Sequence, residues 1–87
     1  MSEYVEARYA KHVLQEARSA NDAEASRLVN DLLRDLSPPR MSNAARAQAL
    51  TSIRVLALSL DQPQSRHLHE WEAADQATEA WCHNAYH

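Results

Sequence analysis

Glycine is missing from all 87 positions of this sequence. It is the residue that takes a positive φ angle without steric cost, as the tightest β-hairpin turns require. A chain without glycine must place asparagine at such turns or avoid them. No stretch of strand length clearly alternates apolar and polar residues. We therefore predict an all-α protein.

Three breaks divide the chain, and they lie at Asn21-Asp22, at Ser37-Pro38-Pro39 and at Asp61-Gln62-Pro63. Proline donates no amide hydrogen bond and restricts the residue before it, so a helix normally ends at such a position. The breaks leave four segments of helical length, at about residues 3–19, 22–36, 42–60 and 63–85.

Residue types that commonly cap helices stand at three of the predicted helix starts. Asn21 can accept a hydrogen bond from the second helix, and Glu24 follows three residues later as in a capping box. Ser42 is placed to cap the third helix. Asp61 is placed to cap the fourth, whose first turn would hold Pro63, a position where proline is tolerated.

Apolar residues recur at helical spacing in every segment. The faces of the first two helices are Val5, Tyr9, Val13 and Ala17, then Leu28, Val29, Leu32, Leu33 and Leu36. Those of the last two are Leu50, Ile53, Leu56, Ala57 and Leu60, then Leu68, Trp71, Ala74, Thr78, Trp81 and Ala85. Because Val55 and Leu58 make the far side of the third helix apolar as well, we expect that helix to be central and buried on more than one side.

The connections between the predicted helices are short, so neighbouring helices should run antiparallel. We predict a single domain over residues 1–87, a small up-and-down bundle of four helices. A three-helix core with a loosely docked first or last helix is the alternative. Leu, Ile, Val and Phe make up only 15 of the 87 residues, and the one cysteine excludes an internal disulfide. Because so thin a core often needs a second subunit, we expect a homodimer to complete the bundle.

The net charge of −3 argues against a general binder of nucleic acid or of an anionic membrane. No apolar run approaches the roughly 20 residues of a membrane span. The opening residues MSEYVEARYA lack the basic and apolar regions of a signal peptide. We expect a cytoplasmic location, which would be the bacterial host's cytoplasm if a phage or mobile element encodes the chain.

Motifs of enzyme chemistry are missing from the sequence. A phosphate-cradling loop needs glycine, and no H-E-x-x-H, nucleophile-elbow or kinase pattern occurs. Cys82 has no C-x-x-C partner, so we predict an inert thiol. We expect no catalytic activity and no cofactor.

Histidines near the C-terminus could bind a metal. Glu79, His83 and His87 share a helix face, and a His pair four residues apart can chelate zinc. One helix supplies two ligands at most, because eight residues at about 1.5 Å rise separate Glu79 and His87 by about 12 Å. We therefore predict no metal site within one chain, and we keep a metal-dependent dimer or sensor as the first alternative function.

The second alternative is a transcriptional regulator with a helix-turn-helix. The second and third helices would form the motif, but the S-P-P-R-M connection is longer than its usual turn. Arg46 and Arg54, which share a face with Leu50 between them, are a thin set of phosphate contacts. We therefore expect no nucleic-acid partner.

Trp71 and Trp81 lie ten residues apart, nearly three helical turns, so they share a face of the fourth helix. Aromatic residues are enriched where proteins bind one another, and Tyr86 could extend the surface. Tyr4 and Tyr9 form a second, weaker aromatic cluster. The simpler interpretation is that both tryptophans belong to the bundle core.

Three carboxylates, those of Glu72, Asp75 and Glu79, lie near one stripe of the same helix. They are either a solvated face or a contact surface for a basic partner. We predict a non-catalytic protein-binding module that acts as an inhibitor, anti-activator or adaptor by covering the contact surface of another protein. The predicted contact residues are Trp71, Trp81, Tyr86, Glu72, Asp75 and Glu79.

Overall fold

The computed structural model describes residues 2–36, 44–62 and 66–86. These residues form four α-helices, which are α1 (Glu3–Arg18), α2 (Asp22–Leu36), α3 (Ala44–Leu60) and α4 (Leu68–Tyr86). No strand occurs within the described ranges. The prediction of an all-α protein is therefore confirmed. The predicted cap of the third helix, Ser42, lies outside the described residues.

Side-chain caps begin the first two helices. The hydroxyl of Ser2 accepts a hydrogen bond from the Val5 amide at 3.2 Å. The side-chain oxygen of Asn21 accepts one from the Glu24 amide at 2.9 Å. The predicted cap of α2 is therefore confirmed, and it satisfies an amide that has no partner inside the helix.

Each helix packs against two neighbours in a four-membered ring. α1 packs against α2 and α4, and α3 packs against the same two helices. Contacts between distant ends show that neighbours run antiparallel, as in the pairs Tyr9–Asp35, Arg18–Asp75 and Ser26–Asp61. The prediction of an up-and-down bundle is confirmed. The packing order also places the α1–α4 and α2–α3 interfaces on opposite sides of the bundle.

Leucine, isoleucine and tryptophan fill the core, and small alanines let the helices approach closely. The predicted faces of α2 and α3 point inward, and Val29, Leu32, Ile53 and Leu56 are fully buried. The prediction that α3 is buried on more than one side is wrong, because Val55 and Leu58 are 50% and 69% exposed. In a ring of four helices each helix has only two neighbours, so its outer face meets solvent.

The predicted face of α1 is only partly correct. Val13 and Ala17 are buried, but Val5 and Tyr9 are exposed, and Ala7, Ala10 and Leu14 fill the core instead. A spacing of four residues drifts by about 40° per step around a helix of 3.6 residues per turn. Val5 therefore lies about 80° from Val13, which is enough to move it out of the interface.

The predicted start of the fourth helix is wrong. Arg66 and His67 are not helical, and α4 begins at Leu68, while Asp61 belongs to the turn after α3. His67 has a φ of 60°. Its backbone carbonyl accepts a hydrogen bond from the Trp71 amide. A non-glycine residue seldom takes this left-handed conformation, although histidine does so more often than most. In a chain without glycine, a buried histidine makes this turn.

Candidate functional site

The two tryptophans predicted as contact residues are buried inside the bundle. Trp81 is fully buried, and Trp71 is 7% exposed. The indole nitrogen of Trp81 donates to a carboxylate oxygen of Glu3 on α1 at 3.0 Å. Their positions fit the interpretation that both belong to the core. Neither side chain can meet a partner in this conformation.

A buried arginine, which sequence reasoning assigned only to phosphate contact, lies beside Trp81. The side chain of Arg46 is almost fully buried, and its guanidinium carbon lies 5.8 Å from the centre of the Trp81 ring. It donates to the carbonyl of Leu36 at 2.8 Å and lies 3.5 Å from the carboxylate of Glu6. Arg46 therefore ties together α1, α2, α3 and α4 and is not available to a phosphate.

Two of the three carboxylates in the predicted stripe of α4 pair with cations of α1. Glu79 pairs with Lys11 at 2.8 Å, and Asp75 pairs with Arg18 at 2.5 Å. The hydrogen bond and charge of Glu79 raise the pKa of Lys11, so the lysine stays protonated. Glu72 is exposed. Because two of the three carboxylates are already paired, the stripe offers much less negative charge than its sequence suggests.

A surface groove runs between α1 and α4 with a volume of about 480 Å³. We call it the α1–α4 groove. The predicted contact residues Glu79 and Tyr86 both line it. Its full lining is Tyr4, Arg8, Lys11, His12 and Gln15 from α1 and Glu79, Cys82, His83 and Tyr86 from α4.

An aromatic pair closes one end of the groove. The rings of Tyr4 and Tyr86 meet edge to face, with centres 5.4 Å apart, and Tyr86 is 70% exposed. The guanidinium of Arg8 lies 5.8 Å from the centre of the Tyr4 ring and donates to the Tyr4 hydroxyl at 3.0 Å. Tyr4 thus holds the arginine in place without neutralising its charge.

The α1–α4 groove is more basic than the rest of this acidic chain. Its lining brings Arg8 and Lys11 together with one carboxylate, that of Glu79. His12 adds a group that can be protonated, although it lies 2.9 Å from Glu16. His83 is exposed on the opposite wall. The groove therefore has the charge to attract an anionic group.

The histidines do not assemble a metal site in the described part of the chain. No group of three or more His, Cys, Asp and Glu side chains there is placed to hold an ion. Glu79 is paired with Lys11, and His87 lies outside the described residues. His67 is buried and His69 exposed, so these two do not form a pair either.

A serine, a histidine and an aspartate meet at the start of α4. Ser59 Oγ lies 2.7 Å from His67 Nδ1, and His67 Nε2 lies 3.5 Å from an Asp22 oxygen. Acyl transfer would also need amides that stabilise an oxyanion. The amides after Ser59 instead donate to carbonyls of α3, Gln62 to Ser59 and Asp61 to Leu58. This cluster fastens the turn before α4 to α2 and α3.

Cys82 is expected to react slowly with thiol reagents. Burial raises the pKa of its thiol, and the nearby charge of Lys11 only partly opposes this. Because the thiolate is the reactive form, the folded protein should react with Ellman's reagent at least about tenfold more slowly than the urea-unfolded chain near pH 8. The difference should narrow as the pH rises past the raised pKa. Equal reaction rates in the folded and unfolded protein would contradict the burial of Cys82. The Cys82→Ser variant, which has no thiol, gives the background signal.

None of the four described helices is long and apolar enough to cross a membrane. Comparison of the chain with protein-family models, with curated proteins and with solved structures finds no match.

Proposed function

We propose that this protein is a non-catalytic binding module that docks an acidic segment of another protein in the α1–α4 groove. The observation that carries the proposal is the aromatic and cationic wall formed by Tyr4, Arg8 and Tyr86. The partner covered in this way would lose its normal contact surface, so the module would act as an inhibitor, anti-activator or adaptor. A cytoplasmic location belongs to the same proposal.

The groove has the composition of a binding hot spot. Tyrosine and arginine are enriched among the residues that dominate binding energies, because they combine a large contact area with polar groups. Tyr86 is largely exposed and packs its ring edge to face with Tyr4. It can therefore bury apolar area on a partner without first leaving the core, as Trp71 and Trp81 would have to do.

Arg8 is already oriented for binding. Its contact with the Tyr4 ring and its hydrogen bond to the Tyr4 hydroxyl restrict a side chain that otherwise has many rotamers. A side chain ordered in advance loses less entropy when a partner binds, which favours affinity. A planar guanidinium in a fixed position also suits bidentate recognition of a carboxylate.

The ion pairs of α4 support an acidic partner over a basic one. The stripe of Glu72, Asp75 and Glu79 suggests a basic partner when α4 is considered alone. In the bundle, Lys11 and Arg18 neutralise Glu79 and Asp75. The charge left to meet a partner at the groove is that of Arg8, so the proposed partner is acidic.

Arg8→Glu is expected to weaken the binding of an acidic amphipathic probe. The probe is a short fluorescein-labelled peptide of Glu, Leu and Ala, and its affinity is measured by anisotropy. We expect Arg8→Glu and Tyr86→Ala each to weaken binding by about tenfold or more, because both remove a central contact. Binding to the wild type should weaken as salt rises through about 0.1 M, where the Debye length is about 10 Å.

The matched control is Arg66→Glu, an equal change of charge at an exposed residue outside the groove. It should leave the affinity within about twofold, and circular dichroism should show equal helicity in all variants. If Arg66→Glu weakens peptide binding as much as Arg8→Glu does, the loss of affinity comes from the change in net charge and not from a contact in the groove. Tighter binding of a matched Lys, Leu and Ala peptide, or of oligo(dT), would point to a basic protein or to a nucleic acid instead.

A further inference from the structure

The outer side of the α2–α3 interface exposes apolar side chains. Leu58 and Val55 on α3 are 69% and 50% exposed. Beside them lies a shallow depression of about 290 Å³, lined by Asn30, Leu33, Arg54, Ala57, Leu58 and Asp61. We call this surface the α2–α3 face. It lies on the side of the bundle opposite the α1–α4 groove, because α1 packs between α2 and α4.

Two opposite charges flank the exposed leucine on the α2–α3 face. Arg54 lies four residues before Leu58, and Asp61 lies three residues after it. Arg54 and Leu58 lie on one side of α3. Asp61, in the turn that follows α3, lines the same depression as they do. Within the described ranges Arg54 makes no salt bridge, and Asp61 accepts a hydrogen bond from Ser26 at 3.3 Å.

We infer that a second copy of this chain docks on the α2–α3 face, with the two α3 helices antiparallel about a two-fold axis near Leu58. A two-fold interface uses the same patch on both copies, so the patch must complement itself. An antiparallel copy reverses the order of Arg54, Leu58 and Asp61. Each Arg54 then faces the Asp61 of the other copy, and the two leucines meet between the charge pairs.

This arrangement explains why α3 is apolar on its outer side. Val55 and Leu58 would be covered by the second copy, which supplies the apolar area that a thin, alanine-rich core lacks. The dimer would leave the α1–α4 groove of each copy open on its far side. It stands independently of the proposed function, because it uses none of the residues that line that groove.

The first test is the mass in solution, measured by sedimentation equilibrium over a wide range of protein concentrations. We expect the wild type to sediment as a dimer and Leu58→Glu to weaken association by about tenfold or more. Val5→Glu is the matched control, an exposed apolar residue of α1 that should leave the dimer intact. A wild type that stays monomeric at every concentration, or a Leu58→Glu variant that associates as strongly as the wild type, would overturn the proposal.

Charge reversal tests the geometry more closely. Arg54→Glu places two like-charged pairs across the axis, and so does Asp61→Arg, so each variant alone should be monomeric. Mixed together, they should form a heterodimer, because both pairs become attractive again. Native mass spectrometry distinguishes the three species when one variant is isotope-labelled. A mixture that stays monomeric, or single variants that remain dimers, would rule out this pairing of the α3 helices.

Discussion

Trp81→Ala is expected to lower the free energy of unfolding by about 3–5 kcal/mol. The side chain is fully buried and touches Arg46, and its indole nitrogen is bonded to Glu3. Removing it leaves a large cavity, because it is the largest of the fully buried side chains. Small domains are stable by only about 5–15 kcal/mol, so the variant should unfold at a much lower urea concentration than the wild type. Urea denaturation followed by circular dichroism measures the change.

Tyr86→Ala is the matched control for this substitution, because it removes an aromatic side chain of the same helix that is largely exposed. We expect it to change stability by less than about 1 kcal/mol. Equal losses in the two variants would contradict the placement of Trp81 in the core. The comparison also bears on binding studies, since a Trp81 variant that fails to bind would report unfolding and not a lost contact.

Arg46→Ala is expected to cost about 3–5 kcal/mol, because breaking a buried ion pair leaves its partner uncompensated. The side chain of Glu6 is only 16% exposed, and the carbonyl of Leu36 would lose its donor as well. The double variant Arg46→Met/Glu6→Leu fills a similar volume and leaves no unpaired charge. It should recover more than half of the loss, measured again by urea denaturation.

A different result would change the role given to Arg46. If the single and double variants are equally unstable, the arginine acts through its packing on Trp81 more than through its charge. If Arg46→Ala is as stable as the wild type, the guanidinium is not buried as the structure places it. Arg27→Ala is a useful reference, because Arg27 pairs with Glu24 and Asp31 on the exposed side of α2, where ion pairs contribute little.

Local sequence signals predict the parts of the fold that depend on neighbouring residues. Asn21 caps α2 because the residue type and the helix that follows it suffice for the hydrogen bond. The start of α4 depends instead on His67, whose ring is held by Ser59 and Asp22 of other helices. Rules for helix caps and for proline use only neighbouring residues and do not take contacts with other helices into account. The start predicted from them, at Pro63, is therefore too early.

Burial of individual residues depends on which helices become neighbours. The prediction that Trp71 and Trp81 share a helix face is correct. The sequence alone leaves open whether that face packs within this chain or against another one. Arg46 precedes Ala49 and Leu50 at the spacing of the buried face of α3. Its burial becomes understandable only once Glu6 of α1 and the carbonyl of Leu36 are brought beside it.

Sequence analysis predicted only some of the residues that line the α1–α4 groove. Glu79 and Tyr86 are among the predicted contact residues, whereas Arg8 is not, and Tyr4 appears only in a weaker cluster at the opposite end of the chain. Because α1 and α4 run antiparallel, the start of α1 lies beside the end of α4, and the ring of Tyr4 packs against the ring of Tyr86. Two antiparallel terminal helices with aromatic residues at their outer ends are the signal that could have joined the two clusters.

The most direct test of the proposed function is an amide NMR titration of the isotope-labelled protein with the peptide of Glu, Leu and Ala. We predict shifts concentrated on α1 and α4 around Tyr4, Arg8 and Tyr86, and their loss in Arg8→Glu. Shifts concentrated around Leu58 on the opposite side of the bundle, or no saturable shifts at any peptide concentration, would contradict the assignment of the α1–α4 groove as the partner site.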